Sequence, residues 1–549
     1  MRKRQIRSQP MTAPSRRKAG WVLLAVSGLS LVVAWVLASP VGASPDEAAH
    51  IDYAWGTVTG QTITGEHLTV IPPGRAATLV QVPQKLLQYP EPGCYAFHPE
   101  RPVTQCSPVP ADIMQTAAQK SYMSRYPPLF YGVQGGVLRA ATALDLSGPR
   151  VLYVARLAAG VLSWLTVVFG VFLLSRRFPA RVVMLATLLG LPATAWFLAS
   201  SVNPNGLEIT AAFLLAAGVL SMRVDLAIGV RSRAAVLAIP VGTLLLAWTR
   251  PLSWVWASLI LGLLLVPTDQ RNGETWRQRL PVRRLGAAAL TVTILILASS
   301  VVWLGYAFQV RSSEKGGIVS SASWGGNVIG RVIVLLLNTG TIVSEQVGTF
   351  GWLDTPLPTV AVFAWVSIAA VATAAWSVGR STYLPRWSVG AVLGLGYLAV
   401  LLDEYRGAWA WQGRYLLPVT ASVCVLAIPG LVKGLERWTA SERMVPWMLA
   451  VLMASNAASV LWFLFRNAYG VKASPGRLPP APLPLGTPSW TPPLGQGAVL
   501  LLVTLALTCG VVGVWALRRV PASAQRQSSP LVAGGPVDGH PAIDATSST

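Results

Sequence analysis

The segment Ser44-Pro45-Asp46-Glu47-Ala48-Ala49-His50 follows closely on an apolar run that ends at Ala38. An acid and an imidazole four positions apart share one face of a helix. Asp46 and His50 therefore suit a general base with its orienting partner, or two ligands of a divalent cation such as Mg or Mn. Glu47 is a second carboxylate that supports either role. Ser44, Pro45 and Glu47 also read as N-cap, N1 and N3 of a capping box. That ordinary reading accounts for Glu47 and leaves Asp46 and His50 to chemistry.

Further polar groups recur at the ends of later apolar runs: Arg125-Tyr126-Pro127-Pro128, Asn203-Pro204-Asn205, Thr249-Arg250-Pro251, Gly351-Trp352-Leu353-Asp354, Asp403-Glu404-Tyr405-Arg406 and Gln412-Gly413-Arg414-Tyr415. Arg156 stands one or two turns inside such a run, where an unpaired charge is costly. Guanidinium groups placed this way suit capture of a phosphate or pyrophosphate. The ordinary alternatives are snorkelling to lipid headgroups, pairing with Asp354, Asp403 or Glu404, a plain turn at Asn203 and an interfacial belt position for Trp352.

The elements that must position these groups are membrane helices. Of 549 residues, 53% are hydrophobic and 12% charged, too apolar a balance for a soluble domain. About 12 runs approach the length needed to cross ~30 Å of hydrocarbon, which predicts an all-α polytopic membrane protein. With the N-terminus inside, 26 of the 43 Lys and Arg fall in inner segments, as the positive-inside rule requires. Both termini are then cytoplasmic and every polar segment above is extracytoplasmic. The formal charge of +22 becomes an orientation signal, and no nucleic-acid partner is needed to explain it.

The expected organisation is a basic tail (1–20), a transmembrane domain (21–466) whose first outer loop spans 40–150 and carries juxtamembrane helices, a Pro-rich outer loop (467–497), a last span (498–517) and a cytoplasmic tail (518–549). The first apolar run exceeds the usual core of a cleaved signal peptide. Pro127–Leu146 and Arg331–Glu345 are short or interrupted and read as juxtamembrane or re-entrant pieces. Cys94 and Cys106 share the first loop, as a disulfide if it faces an oxidising compartment and as free thiols otherwise.

The ordered set Pro45-Asp46-Glu47-x-x-His50, Tyr126-Pro127-Pro128-Leu129-Phe130-Tyr131, Ser201-Val202-Asn203-Pro204-Asn205, Gly351-Trp352-Leu353-Asp354 and Gln412-Gly413-Arg414-Tyr415 resembles the bacterial membrane-protein family catalogued as domain of unknown function 2142. That family in turn resembles the GT-C class of membrane glycosyltransferases. The resemblance implies a multi-pass protein of the bacterial plasma membrane that takes a sugar from a polyprenyl-phosphate donor to a cell-envelope glycan, lipid or protein. It casts Asp46 as general base with Glu47 or His50 supporting it or a metal, and Arg250 stands where such proteins often carry a Lys. The residues themselves add Arg125, Tyr126, Arg156, Asn203, Arg250, Trp352, Asp354, Gln412, Arg414 and Tyr415 as candidate substrate-binding groups. No Gly-rich phosphate loop for a nucleotide appears in any inner segment. The rival readings are a lipid or polysaccharide flippase and a non-catalytic envelope assembly protein.

Overall fold

Hydrocarbon offers no partner to a backbone N–H or C=O, so long apolar runs satisfy their own hydrogen bonds as helices. The computed structural model describes residues 13–64, 67–70, 75–89, 92–106, 116–268, 275–310, 330, 333, 336–381, 383–405, 412–439, 441–471, 488 and 490–518. The chain begins with α1 (Ala13–Ala38) and α2 (Glu47–Val58), followed by an antiparallel sheet of β1 (His67–Val70), β2 (Arg75–Pro83) and β3 (Thr116–Ser121) in the order β1-β2-β3. Then come α3 (Pro128–Ala143), α4 (Gly148–Ser175), α5 (Ala180–Gly190), α6 (Ala193–Ala199), α7 (Pro204–Ala227), α8 (Arg233–Ala247), α9 (Ser253–Gly262), α10 (Ala287–Val310) and α11 (Thr339–Gly348). A two-stranded hairpin of β4 (Thr349–Phe350) and β5 (Thr355–Pro356) leads to α12 (Thr359–Val378), α13 (Arg386–Tyr405), α14 (Leu417–Leu426), α15 (Ile428–Leu435), α16 (Ser441–Tyr469) and α17 (Gly495–Arg518).

The fold is all-α and multi-pass. Among the described residues, 7 helices are long and apolar enough to cross a bilayer, or up to 9 if each bent pair is one span. The pairs are α5 with α6, bent by 73°, and Gly413–Leu426 with α15, bent by 48°. Pro192 and Pro429 stand at these breaks, where a missing N–H interrupts the helical ladder. The sequence expectation of about 12 crossings counted α8, α9 and α13 as full spans; they are shorter apolar helices. Asp403, Glu404 and Arg406, the loop at 311–329, residues 1–15 of the N-terminal tail and the C-terminal tail lie outside the residues whose side chains are described, whereas the end of the N-terminal tail belongs to α1.

Helix α7 forms the central post. Every residue from Pro204 to Asp225 is buried, as expected of a helix that is apolar all round. At its start Gly206 lets it close on α6, since an added Cβ would stand 2.3 Å from Ala199 Cα. The segment read as juxtamembrane or re-entrant, Pro127–Leu146, contains α3, which packs along α2. Phe130, Tyr131, Leu138 and Ala141 join Ile51, Tyr53, Ala54 and the first turns of α4 in one core cluster. Gly135 sets that approach, because a Cβ there would lie 2.1 Å from Ala54 O. Gly135→Leu is expected to pry α3 from α2 and cost about 1–3 kcal/mol through overpacking. A lowered thermal midpoint with unchanged helix content would register it.

Candidate active site

The first loop is anchored by a fully buried ion pair. Glu47 and Arg156 have no solvent exposure, and Glu47 accepts from Arg156 Nε at 2.7 Å, Gly42 N at 2.9 Å and Val202 N at 3.0 Å. Arg156 Nη2 donates to the same carboxylate and to Pro40 O at 2.6 Å, and Nη1 donates to Ser39 O. Burying two charges is tolerable only when their hydrogen-bonding capacity is used. Here that requirement joins the end of α1, the start of α4 and the turn before α7. Asn203 reinforces the joint, donating to Pro45 O at 2.9 Å and capping α7 through Asn205 N at 3.0 Å.

Asp46 is thereby held at the N-cap of α2 with φ 63 and ψ 5, a left-handed conformation, and makes no capping bond. The helix starts at Glu47, so the capping box expected at Ser44 and Glu47 does not form: the Glu47 carboxylate is taken by Arg156 and the loops. The Asp46 oxygens point elsewhere. Oδ1 accepts from Tyr122 Oη at 2.7 Å and Oδ2 from Arg414 Nη2 at 3.0 Å. The Asp46 side chain is 26% exposed, the reachable acid beside two sealed ones, Glu47 and Glu208. Burial pushes its carboxyl up, but Arg414, His50 and the Tyr122 hydrogen bond together bring it below its ordinary value.

Around this acid lie aromatic rings and a second cation. His50, one turn further along α2, is buried and shares a 2.9 Å hydrogen bond between Nδ1 and Tyr131 Oη. Burial first, with Arg250 and Arg414 adding and Asp46 opposing, lowers its pKa to about 3. The imidazole is neutral at physiological pH. Arg250, between α8 and α9, donates to Glu208 at 3.0 Å and lies over the rings of Tyr415 and Tyr126, 4.6 and 5.8 Å from their centroids. Arg414 Cζ sits 5.2 Å from the Tyr415 ring. Its Nε and Nη1, and Arg250 Nε, are buried without a hydrogen-bond partner. Guanidinium N–H groups left this way beside a partly exposed acid suit an incoming anion.

The structure thus gathers Asp46, His50, Tyr126, Arg250, Arg414 and Tyr415. Gln412 opens the Arg414 turn with a buried, unpartnered Oε1, and Arg125 lies over Phe308 at 4.5 Å. Glu47, Arg156 and Asn203, read from the sequence as catalytic or substrate-binding groups, bond here to one another and to the backbone around the site. Trp352 and Asp354 are framework too. Trp352 donates to Gly42 O at 3.1 Å, and Asp354 pairs at 3.0 Å with buried Arg466, which also donates to Tyr95 O and His98 O. Those carbonyls lie in the loop closed by the Cys94–Cys106 disulfide.

Sequence reading missed Glu208, Tyr122, Tyr131 and Glu345. Glu208 carried a usable signal, a lone carboxylate one turn into an apolar helix. Glu345 Oε2 accepts from Gly413 N at 2.5 Å and so holds the turn that carries Arg414. As metal ligands, Asp46 and His50 fit poorly. Arg414 occupies the place of a cation at Asp46, and among the described residues no group of three or more His, Cys, Asp or Glu gathers to hold an ion.

The sequence matches the family described as "Predicted membrane protein (DUF2142)" over residues 29–423. No curated protein matches the chain. Two solved structures of ArnT from Cupriavidus metallidurans are similar in fold, each with a TM-score of 0.42 and covering 91% of this chain and 75% of the other. One is bound to undecaprenyl phosphate, at 15% identity, and the other is in the apo state, at 16%.

Two outcomes follow from this geometry. Arg156→Ala strands Glu47 in the core and is expected to cost about 3–5 kcal/mol, whereas a Glu47→Gln/Arg156→Met pair recovers part of it; chemical denaturation of the three proteins measures both. His50 takes a proton near its ordinary 6.5 when unfolded but near 3 when folded, so its contribution lowers stability as pH falls through that window. Buried Asp52, raised to about 7, acts in the opposite sense. The clean readout is therefore the difference in thermal midpoint between His50→Gln and the parent, which shifts in favour of the variant from pH 7 to pH 4.

Proposed function

This chain belongs to the membrane-protein family described as domain of unknown function 2142, and from the site it carries we propose that it is a GT-C-type glycosyltransferase of the bacterial plasma membrane, moving a sugar from a polyprenyl-phosphate donor to an extracytoplasmic envelope acceptor. The observation that carries this reading is the contact of partly exposed Asp46 with Arg414, whose Nε and Nη1 have no partner. A base for an acceptor hydroxyl and donors for a phosphate stand within one side chain's reach. The distribution of Lys and Arg supports an outward-facing site.

In the proposed reaction Asp46 accepts the proton of an acceptor hydroxyl as its oxygen bonds to the anomeric carbon. The bond from that carbon to the phosphate oxygen breaks, and its electron pair leaves with polyprenyl phosphate. Arg414, helped by Arg250, donates to the phosphate oxygens as they gain charge. The donor carries its energy in the sugar–phosphate bond, so no nucleotide is required. Asp46 is ionised at neutral pH because Arg414 holds it so, and turning Arg414 toward the phosphate strengthens the base as the donor binds. Tyr122 keeps the carboxylate in place meanwhile.

Asp46→Asn keeps the hydrogen bond to Tyr122 and removes the base, so transfer is expected to fall by ~10²–10⁴-fold. Mass spectrometry of envelope glycans, in a strain whose only copy is the well-expressed variant, reads the loss. A glycan composition identical to the parent's removes Asp46 from the mechanism.

A further inference from the structure

At the end of the bundle away from Asp46, the start of α8 and the start of α10 enclose a groove of about 580 Å³. Arg231, Arg233, Val236, Leu237, Pro240 and Ala289 line it. Both arginines are exposed, and Leu237 is 56% exposed. Among the described residues neither arginine forms an ion pair. The nearest acid along the chain, Asp225, is already committed, accepting from Arg177 Nε at 3.0 Å, Arg177 Nη2 at 2.6 Å and Ser232 N at 3.2 Å.

Further positive potential converges here. Ser232 caps α8, whose N-terminus carries partial positive charge. Gly286, which opens α10 at φ 81, lies so close to Arg231 that an added Cβ would stand 2.8 Å from its Nη2. Arg283 and Arg284 sit just before that glycine, in the short helix Val282–Leu285. Behind the cations the walls turn apolar: from Arg233 to Pro240 the groove runs ~10 Å along α8 at 1.5 Å per residue.

A cationic mouth continuous with a hydrocarbon-lined trough matches one kind of molecule. We infer that this groove binds an anionic phospholipid, its phosphate between Arg231 and Arg233 and an acyl chain along Leu237 and Pro240. Basic pockets between membrane helices select such headgroups. A free phosphate would use the arginines and leave the apolar wall unused. The assignment is independent of the transfer reaction proposed above.

The test uses the full-length protein, stripped of lipid in detergent and exposed to mixed vesicles of phosphatidylglycerol and phosphatidylcholine, with retained lipid counted by mass spectrometry. The parent is expected to retain phosphatidylglycerol preferentially. Arg231→Gln/Arg233→Gln is expected to lower that preference roughly 30-fold, the size set by two cations near an anionic surface. A control pair at the same end, Arg176→Gln/Arg380→Gln, keeps it. Three results overturn the assignment: an undiminished preference in the first pair, an equal loss in the control pair, which means diffuse charge, or displacement of the lipid by inorganic phosphate, which means a simple anion site.

Discussion

The architecture turns on the Glu47–Arg156 pair. Two opposite charges with no solvent contact destabilise a protein unless nearly all their hydrogen-bonding capacity is used. Here it is used by chain segments from four places: the loop after α1, the N-terminus of α2, the third turn of α4 and Val202 before α7. Asp46 is the immediate neighbour of Glu47, so it inherits this rigidity. Its left-handed backbone, a state that costs a non-glycine residue about 1–2 kcal/mol, persists because the frame on either side fixes it. Strain at a position so constrained is a mark of function in its own right.

Consecutive carboxylates in this chain do opposite work because their surroundings differ. Glu47 points into the bundle and meets only donors; Asp46 points out of it, meets one tyrosine and one side of a guanidinium, and keeps contact with solvent. His50, expected to act with Asp46 as an acid–base pair, is buried, hydrogen-bonded to Tyr131 and neutral at physiological pH. A neutral imidazole next to two arginines avoids a third positive charge beside Arg414, which pairs with Asp46, and Arg250, which pairs with Glu208. Environment sets the roles, as it does wherever one chemical type of side chain serves twice.

The helical architecture was legible because apolar runs and basic loops are one-dimensional signals. The position of Asp46 was legible too, since an acid right after a first apolar run has few structural excuses. What could not be read was partnership. Arg156 and Arg414 look alike in sequence, each an arginine near the end of an apolar run, and only three-dimensional pairing shows that one is sealed by Glu47 and the other is not. Glu208 was overlooked although its type and position announced it, because the run around it reads as plain apolar helix. Glu345 gave no signal, as its contact with Gly413 spans 68 residues. Hydropathy counts apolar runs and not crossings, so the apolar helices of 10–15 residues enter a count of about 12 beside the 7 to 9 longer spans.

A comparison among buried arginines separates scaffold from site. Arg156 and Arg223 spend every nitrogen on carbonyls or a carboxylate, and both serve as staples between segments. Arg125, Arg250, Arg279 and Arg466 each have a buried Nε without a partner, and since Arg466 is part of the frame, one such nitrogen does not diagnose a ligand. Arg414 leaves two, Nε and Nη1, while its remaining nitrogen touches Asp46 and Tyr415. A buried cation with two of its three nitrogens idle is destabilising as it stands. The idle donors make sense once an oxyanion occupies them, and Arg250 contributes through its place over the same tyrosine ring.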